Sequence, residues 1–258
     1  MNADLLPIFL HVPAGIFRMG TSERDLSALA RRYGGTRESY REEAPQHEVA
    51  LPAFALAATP VTNALYAPFV RATGITPPLH WRGTLPPVAL HDHPVVDINW
   101  HEAVAFCQWL TASLHQTPIV VPGLAAPYHF RLPSEAEWER SARGTDGRRF
   151  PWGDEFRAEL ANTRESNLGS SSVVGSRPEG ISPIGAHDMA GNVWEWTASL
   201  DALYPYQRHD GREDPTREGR RIMRGGCYVN PQGYARCACR FRLAPTVRNE
   251  FTGFRLAI

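Results

Sequence analysis

Apolar residues recur at helical spacing in three stretches of the chain. After TPVT, Thr62 can cap a helix over residues 63 to 72, with Leu65, Tyr66, Phe69 and Val70 on one face and Gly74 as its stop. In NWHEAVAFCQWLTASL, Asn99 and Glu102 have capping-box spacing and Ala103, Phe106, Cys107 and Leu110 repeat at helical period. PSEAEWERSARG places Glu137 three residues after Ser134 and ends at Gly144. Other apolar runs, such as HEVALPAFAL and RIMRGGCYV, are short and predict strands. The 21 glycines and 22 prolines are spread along the chain, so long irregular segments must join these few elements. Residues 77 to 94 are Pro-rich but hold Trp81, Leu85 and Val88, which predicts a packed loop rather than a domain boundary. Without internal repeats or low-complexity linkers, the pattern predicts one α+β domain over residues 1 to 258.

Charge narrows the partners. Lys+Arg and Asp+Glu are both 27, which leaves no field to attract a nucleic acid or an anionic membrane. The N-terminal MNADLLPIFLHVPAG lacks a basic region and a long apolar run, and no stretch reaches the ~20 apolar residues of a membrane span. Four cysteines are too few for a disulfide scaffold, so a cytoplasmic home is expected.

Candidate chemistry sits at four places. In GNVWEW, the Asn192 side chain, the Val193 carbonyl and the Glu195 carboxylate are hard oxygen donors of the type calcium prefers; alternatively, Trp194 and Trp196 are core aromatics while Asn192 and Glu195 tie down the backbone. Cys237 and Cys239 would share one face of a strand and could chelate a soft ion, or could be small core hydrophobes. His91, Asp92 and His93, with His80 and His101, offer an iron-type ligand set, although adjacent residues rarely aim at one ion. Arginines crowd the last quarter of the chain, where their forks could recognise carboxylates or phosphates.

FLHVPAGIFRMG, PVVDINWHEAVAFCQWL, RLPSEAEWERSARG, RRFPWGD, GAHDMAGNVWEWT, RIMRGGCY and GFRLAI stand in the order found in the formylglycine-generating enzyme, or sulfatase-modifying factor, family, which the sequence resembles from about Phe9 to Ile258. The resemblance implies a single C-type-lectin-like domain. It makes Asn192, Val193 and Glu195 calcium ligands and points to Asn162 and Thr163 as the start of a second calcium site, with no aspartate at a clear spacing. The family's oxidases hold copper(I) between two cysteines. Here Asn230 stands at the first of those positions, the loop is too short to supply the second, and Cys227 occupies the place of an active-site serine, so copper is not expected. Iron is not expected either, because the iron-using relatives take ligands from an additional helical domain. In some relatives cysteines bridge the positions held here by Cys107 and Leu256, and by Cys237 and Ala142, so neither bridge can form. Arg224, Arg240 and Arg255 fall in bracing blocks, while Arg236, Arg242 and Arg248 are freer to meet a ligand.

The implied cleft comprises Trp152, Cys227, Tyr228, Asn230, Tyr234, Arg242 and Asn249. Two readings follow: a binding or accessory member that recognises a peptide, protein or small ligand there, and a divergent oxidase of peptide-derived substrates acting through Cys227.

Overall fold

The computed structural model describes residues 5–114, 121 and 123–258; the first four residues of the N-terminal segment read above lie outside them. Two small antiparallel ladders open the fold. β1 (Phe9–Val12) pairs with β4 (Phe54–Ala57), and β2 (Gly15–Met19) pairs with β3 (His47–Leu51). HEVALPAFAL is therefore two strands with different partners rather than one. A four-stranded sheet follows, in the order β7 (Phe241–Leu243), β6 (Arg221–Arg224), β5 (Trp194–Leu200), β8 (Thr252–Phe254), with only the β5–β8 pair parallel.

The three helices predicted from periodicity form with their predicted caps. α2 (Asn63–Thr73) starts where Thr62 Oγ1 accepts from Leu65 N at 3.2 Å and stops at Gly74 in the left-handed region. α3 (Trp100–Ser113) and α4 (Glu135–Arg143) each carry a complete capping box. A fourth helix, α1 (Leu26–Tyr33), escaped the pattern reading although Leu26, Leu29, Ala30 and Tyr33 have helical spacing.

RIMRGGCYV remains a strand only to Arg224, because Gly225 and Gly226 take φ of 100° and 74° and turn the chain out of the sheet. In the Pro-rich segment Trp81 is buried and donates to Asn63 Oδ1 at 2.7 Å, but Leu85 and Val88 are exposed, contrary to expectation.

The largest apolar cluster joins α2 and α3 to the sheet through Tyr66, Phe106, Trp196 and Phe254. Tyr66 stacks on Phe106 at 5.3 Å, and Phe254 meets Phe106 edge-on at 5.5 Å. A second cluster packs α4, through Trp138 and Ala142, on β2 to β4. Cys107 lies in the first cluster with Leu256, and Cys237 in the second with Ala142, the neighbours that the family resemblance implied.

Charge is buried with the apolar surface. Glu135 meets Arg224 and Arg240, Glu139 meets Arg143 and Arg224, and Glu137 is held by Arg131 at 2.6 and 2.7 Å. Burial opposes ionisation of Glu135 and Glu137, yet Arg240 and Arg224 in the first case and Arg131 in the second hold these carboxyls below the usual range.

Depressed carboxyl pKa values contribute stability that is complete above the unfolded value, 4.5, and is lost as pH falls through the lower folded values. The melting temperature should therefore hold from neutral pH to about 5 and fall steeply below about 4. Arg224→Met should destabilise by roughly 3–5 kcal/mol in urea unfolding, because it strands two buried carboxylates on one remaining arginine each.

Candidate functional site

GNVWEW has a structural answer for each residue. Gly191 sits at φ 82°, and a Cβ there would lie 2.3 Å from the Asn162 carbonyl oxygen. Asn192 NH donates to that same oxygen at 2.7 Å. The Asn192 side chain is saturated by the serine-rich loop that follows Asn162: Oδ1 accepts from Ser172 N at 2.9 Å and Nδ2 donates to Ser172 O at 3.2 Å. Asn162 Nδ2 donates to Ser170 O at 2.9 Å, and its Oδ1 accepts from Ser166 Oγ at 2.9 Å. Thr163 Oγ1 donates to Glu165 at 2.8 Å. Val193 is buried, and Trp194 and Trp196 belong to the core.

Glu195 is the one charged donor of the expected calcium set. Its carboxylate is fully buried and both oxygens are taken: Arg255 Nε and Nη2 each donate at 2.6 Å, and Trp138 Nε1 donates at 2.7 Å. A guanidinium therefore occupies the place where a cation was expected, and it would repel Ca²⁺ there. The asparagine pair is held by hydrogen bonds to a loop without an aspartate, and that loop's one carboxylate, Glu165, is engaged by Thr163 Oγ1 and Gln232 N. These residues do not fit calcium at either expected position.

The turn after β6 carries Cys227, which is buried. Its thiol donates to Asn230 Oδ1 at 3.0 Å, and its main-chain NH donates to the same atom at 3.2 Å. Burial pushes the Cys227 thiol up to about 11, only partly offset by main-chain hydrogen bonds. Cys237 and Cys239 lie in a turn rather than a strand, and their thiols enter different apolar clusters, so the expected shared face does not exist. Burial pushes both up to about 12. All four thiols are free, and among the described residues no group of three or more His, Cys, Asp or Glu side chains is arranged to hold a metal.

Residues 2–258 match the family model described as sulfatase-modifying factor enzyme 1-like domain. The chain belongs to this family. The formylglycine-generating enzyme of Mycobacterium tuberculosis is 30% identical over 267 residues, covering 80% of this chain and 78% of that protein. Serine/threonine-protein kinase Pkn1 of Chlamydia trachomatis serovar L2 is 31% identical over 246 residues, 86% of this chain but only 36% of that longer protein. The solved structure of Treponema denticola variable protein 1 aligns with a TM-score of 0.70 and 26% identity, over 96% of this chain and 94% of that one.

In this sulfatase-modifying-factor domain the expected cleft divides. Gly226 lies so close to the next segment that a Cβ would be 2.9 Å from the Tyr234 carbonyl, which sets the Cys227–Asn230 turn against Tyr234. Tyr234 and Arg242 line one cavity of about 480 Å³, together with Tyr33, Tyr40 and Phe241. A larger cavity of about 920 Å³ adjoins it, and Ser39, Glu42, Arg220, Arg240 and Arg242 border both. Half-exposed Arg242 pairs with Glu42, and with Asp201 at 3.4 Å.

The remaining cleft candidates lie elsewhere. Trp152 stacks on Phe150 at 5.7 Å and donates to the Glu155 carbonyl; Tyr228 packs on Phe251, and burial pushes its phenol up to about 12. Asn249 Oδ1 accepts from Phe251 N and Thr252 Oγ1, which makes it a turn cap. Arg236, expected to be free, is buried in a two-point pair with Glu43 at 2.6 and 2.7 Å, and Arg248 pairs with Glu102. The histidines do not converge: His80 bonds Asn63 and His93 bonds Ser171.

Tyr33, Tyr40, Glu42 and Phe241 are cavity residues the sequence reading missed. Only the helical spacing that ends at Tyr33 signalled any of them.

Two outcomes follow. Chelator treatment should leave the melting temperature unchanged within about 1 °C, whereas a structural calcium site would shift it by several degrees. Cys227 should alkylate with iodoacetamide roughly a hundredfold more slowly than a free thiol at neutral pH, as read by mass spectrometry.

Proposed function

We propose that this domain is a binding or accessory member of its family, one that recognises a peptide or small ligand in the paired cavities beside the Cys227 turn and does not generate formylglycine. The observation that carries this reading is the state of the thiol in that turn. Cys227 is tied to Asn230, Cys237 lies in a different core cluster from Cys227 and Cys239, and burial holds all three thiols protonated, which opposes the thiolate pair that copper(I) requires. Iron finds no converging ligand set among the described residues. The divergent-oxidase reading through Cys227 draws no support from a thiol that burial holds protonated.

The cavities suit recognition. Trp194 stacks on exposed Phe241 at 5.4 Å and meets exposed Tyr234 edge-on at 6.3 Å, giving rigid aromatic contact area beside Arg242 and Glu42. Tyr33 Oη is buried on the same wall without a hydrogen-bond partner among the described residues, a donor that a ligand carbonyl would satisfy. Free thiols throughout support a cytoplasmic setting.

Incubation with copper(I) and a cysteine-containing sulfatase-type peptide should yield no formylglycine by mass spectrometry; conversion of the peptide would refute the reading. A peptide selected from a random display library should bind wild type and lose at least about tenfold affinity in Tyr234→Ala/Phe241→Ala, with the melting temperature preserved. Failure to select any peptide, or selection of peptides indifferent to those residues, would move recognition away from this cleft.

A further inference from the structure

A third cavity, of about 470 Å³, shares no lining residue with the paired cavities and lies where α3, the start of α4, β5 and the segment around residues 206 to 215 meet. Trp100, Val104 and Phe130 supply apolar walls, and its size is that of a small-molecule site. Glu213 supplies the polar point. Ser199 Oγ donates to its two oxygens at 2.8 and 2.9 Å, and Tyr206 Oη donates at 2.7 Å.

Half-buried Glu213 differs from the buried glutamates of this fold. Glu43, Glu135, Glu137, Glu139 and Glu195 each meet an arginine, whereas among the described residues no basic side chain lies within salt-bridge distance of Glu213. The charged groups facing it are already engaged. Arg131 is held by Glu137, and Glu135 by Arg240 and Arg224. Arg221 donates to the carbonyls of Ala198, Asp214, Pro215 and Arg217 and lies 4.0 Å over the Trp100 ring. Burial, and then the nearby Glu135 and Glu137, push the Glu213 carboxyl up despite its two hydroxyl donors. An ionised Glu213 thus lacks the arginine that each of these five glutamates has.

We propose that this cavity binds an aryl- or alkylammonium ion, its primary ammonium head pairing with Glu213 and its apolar body lying on Trp100, Val104 and Phe130. Arg208 and His209, exposed at the rim, face the solvent side of such a ligand.

Isothermal titration of the whole chain with 2-phenylethylammonium, 2-phenylethanol and 3-phenylpropanoate tests this directly. The ammonium should bind at least about tenfold more tightly than the alcohol, and the carboxylate more weakly than either. Glu213→Gln should erase the advantage of the ammonium while keeping the affinity for the alcohol. In the unaltered protein the ammonium affinity should rise with pH through the acidic range, as Glu213 ionises, while the alcohol affinity stays flat. The proposal is overturned if the carboxylate binds as well as the ammonium, if none of the three binds at millimolar concentration, or if the ammonium affinity does not respond to pH.

Discussion

Three carboxylates of one short helix anchor it to the segments packed around it. Glu135, Glu137 and Glu139 of α4 point into the protein, and the guanidiniums that meet them come from Arg131, Arg143, Arg224 and Arg240. Arg224 ends β6 and Arg240 precedes β7, so the sheet that carries the cleft is registered against α4 by charge as well as by packing. All 27 of the Lys+Arg positions are arginine, with no lysine. That choice suits the arrangement, since a planar fork satisfies both oxygens of a carboxylate and loses less on dehydration than an ammonium. With so much of the chain in turns, these fixed two-point contacts define geometry where ladder hydrogen bonds are few.

The same logic explains which features were legible in sequence. Capping boxes and helical periodicity are local, and Asn99 with Glu102 and Ser134 with Glu137 announced their helices without help from the rest of the chain. The ordered family blocks carried the fold. Partner choice is not local. Nothing within GNVWEW says that an arginine sixty residues later will occupy Glu195, or that Asn162 and Asn192 will be consumed by a serine loop. Arg236 looked free for the same reason: its partner, Glu43, lies on the far side of the sequence. The Cys-x-Cys pair misled because alternation implies a shared face only in a strand, and Arg236 to Ala238 form a turn.

For function, the fold supplies a frame and the loops supply the site. The frame is that of the family, while the Cys227 turn is closed by a thiol–amide hydrogen bond. The surface beside that turn is aromatic and arginine-rich. The cavity at Glu213 lies apart from this surface, so occupancy of one does not obstruct the other.

The last residues complete the first ladder. Ala55 exchanges both main-chain hydrogen bonds with Ile258, and Ala257 bridges Leu56 and Arg131. During synthesis, β4 therefore waits with an open edge until about 200 further residues have emerged, on the order of ten to forty seconds of translation. Over that interval β4, with β1 already available as its partner, keeps its second, apolar edge unpaired, the kind of edge on which a foreign strand can add.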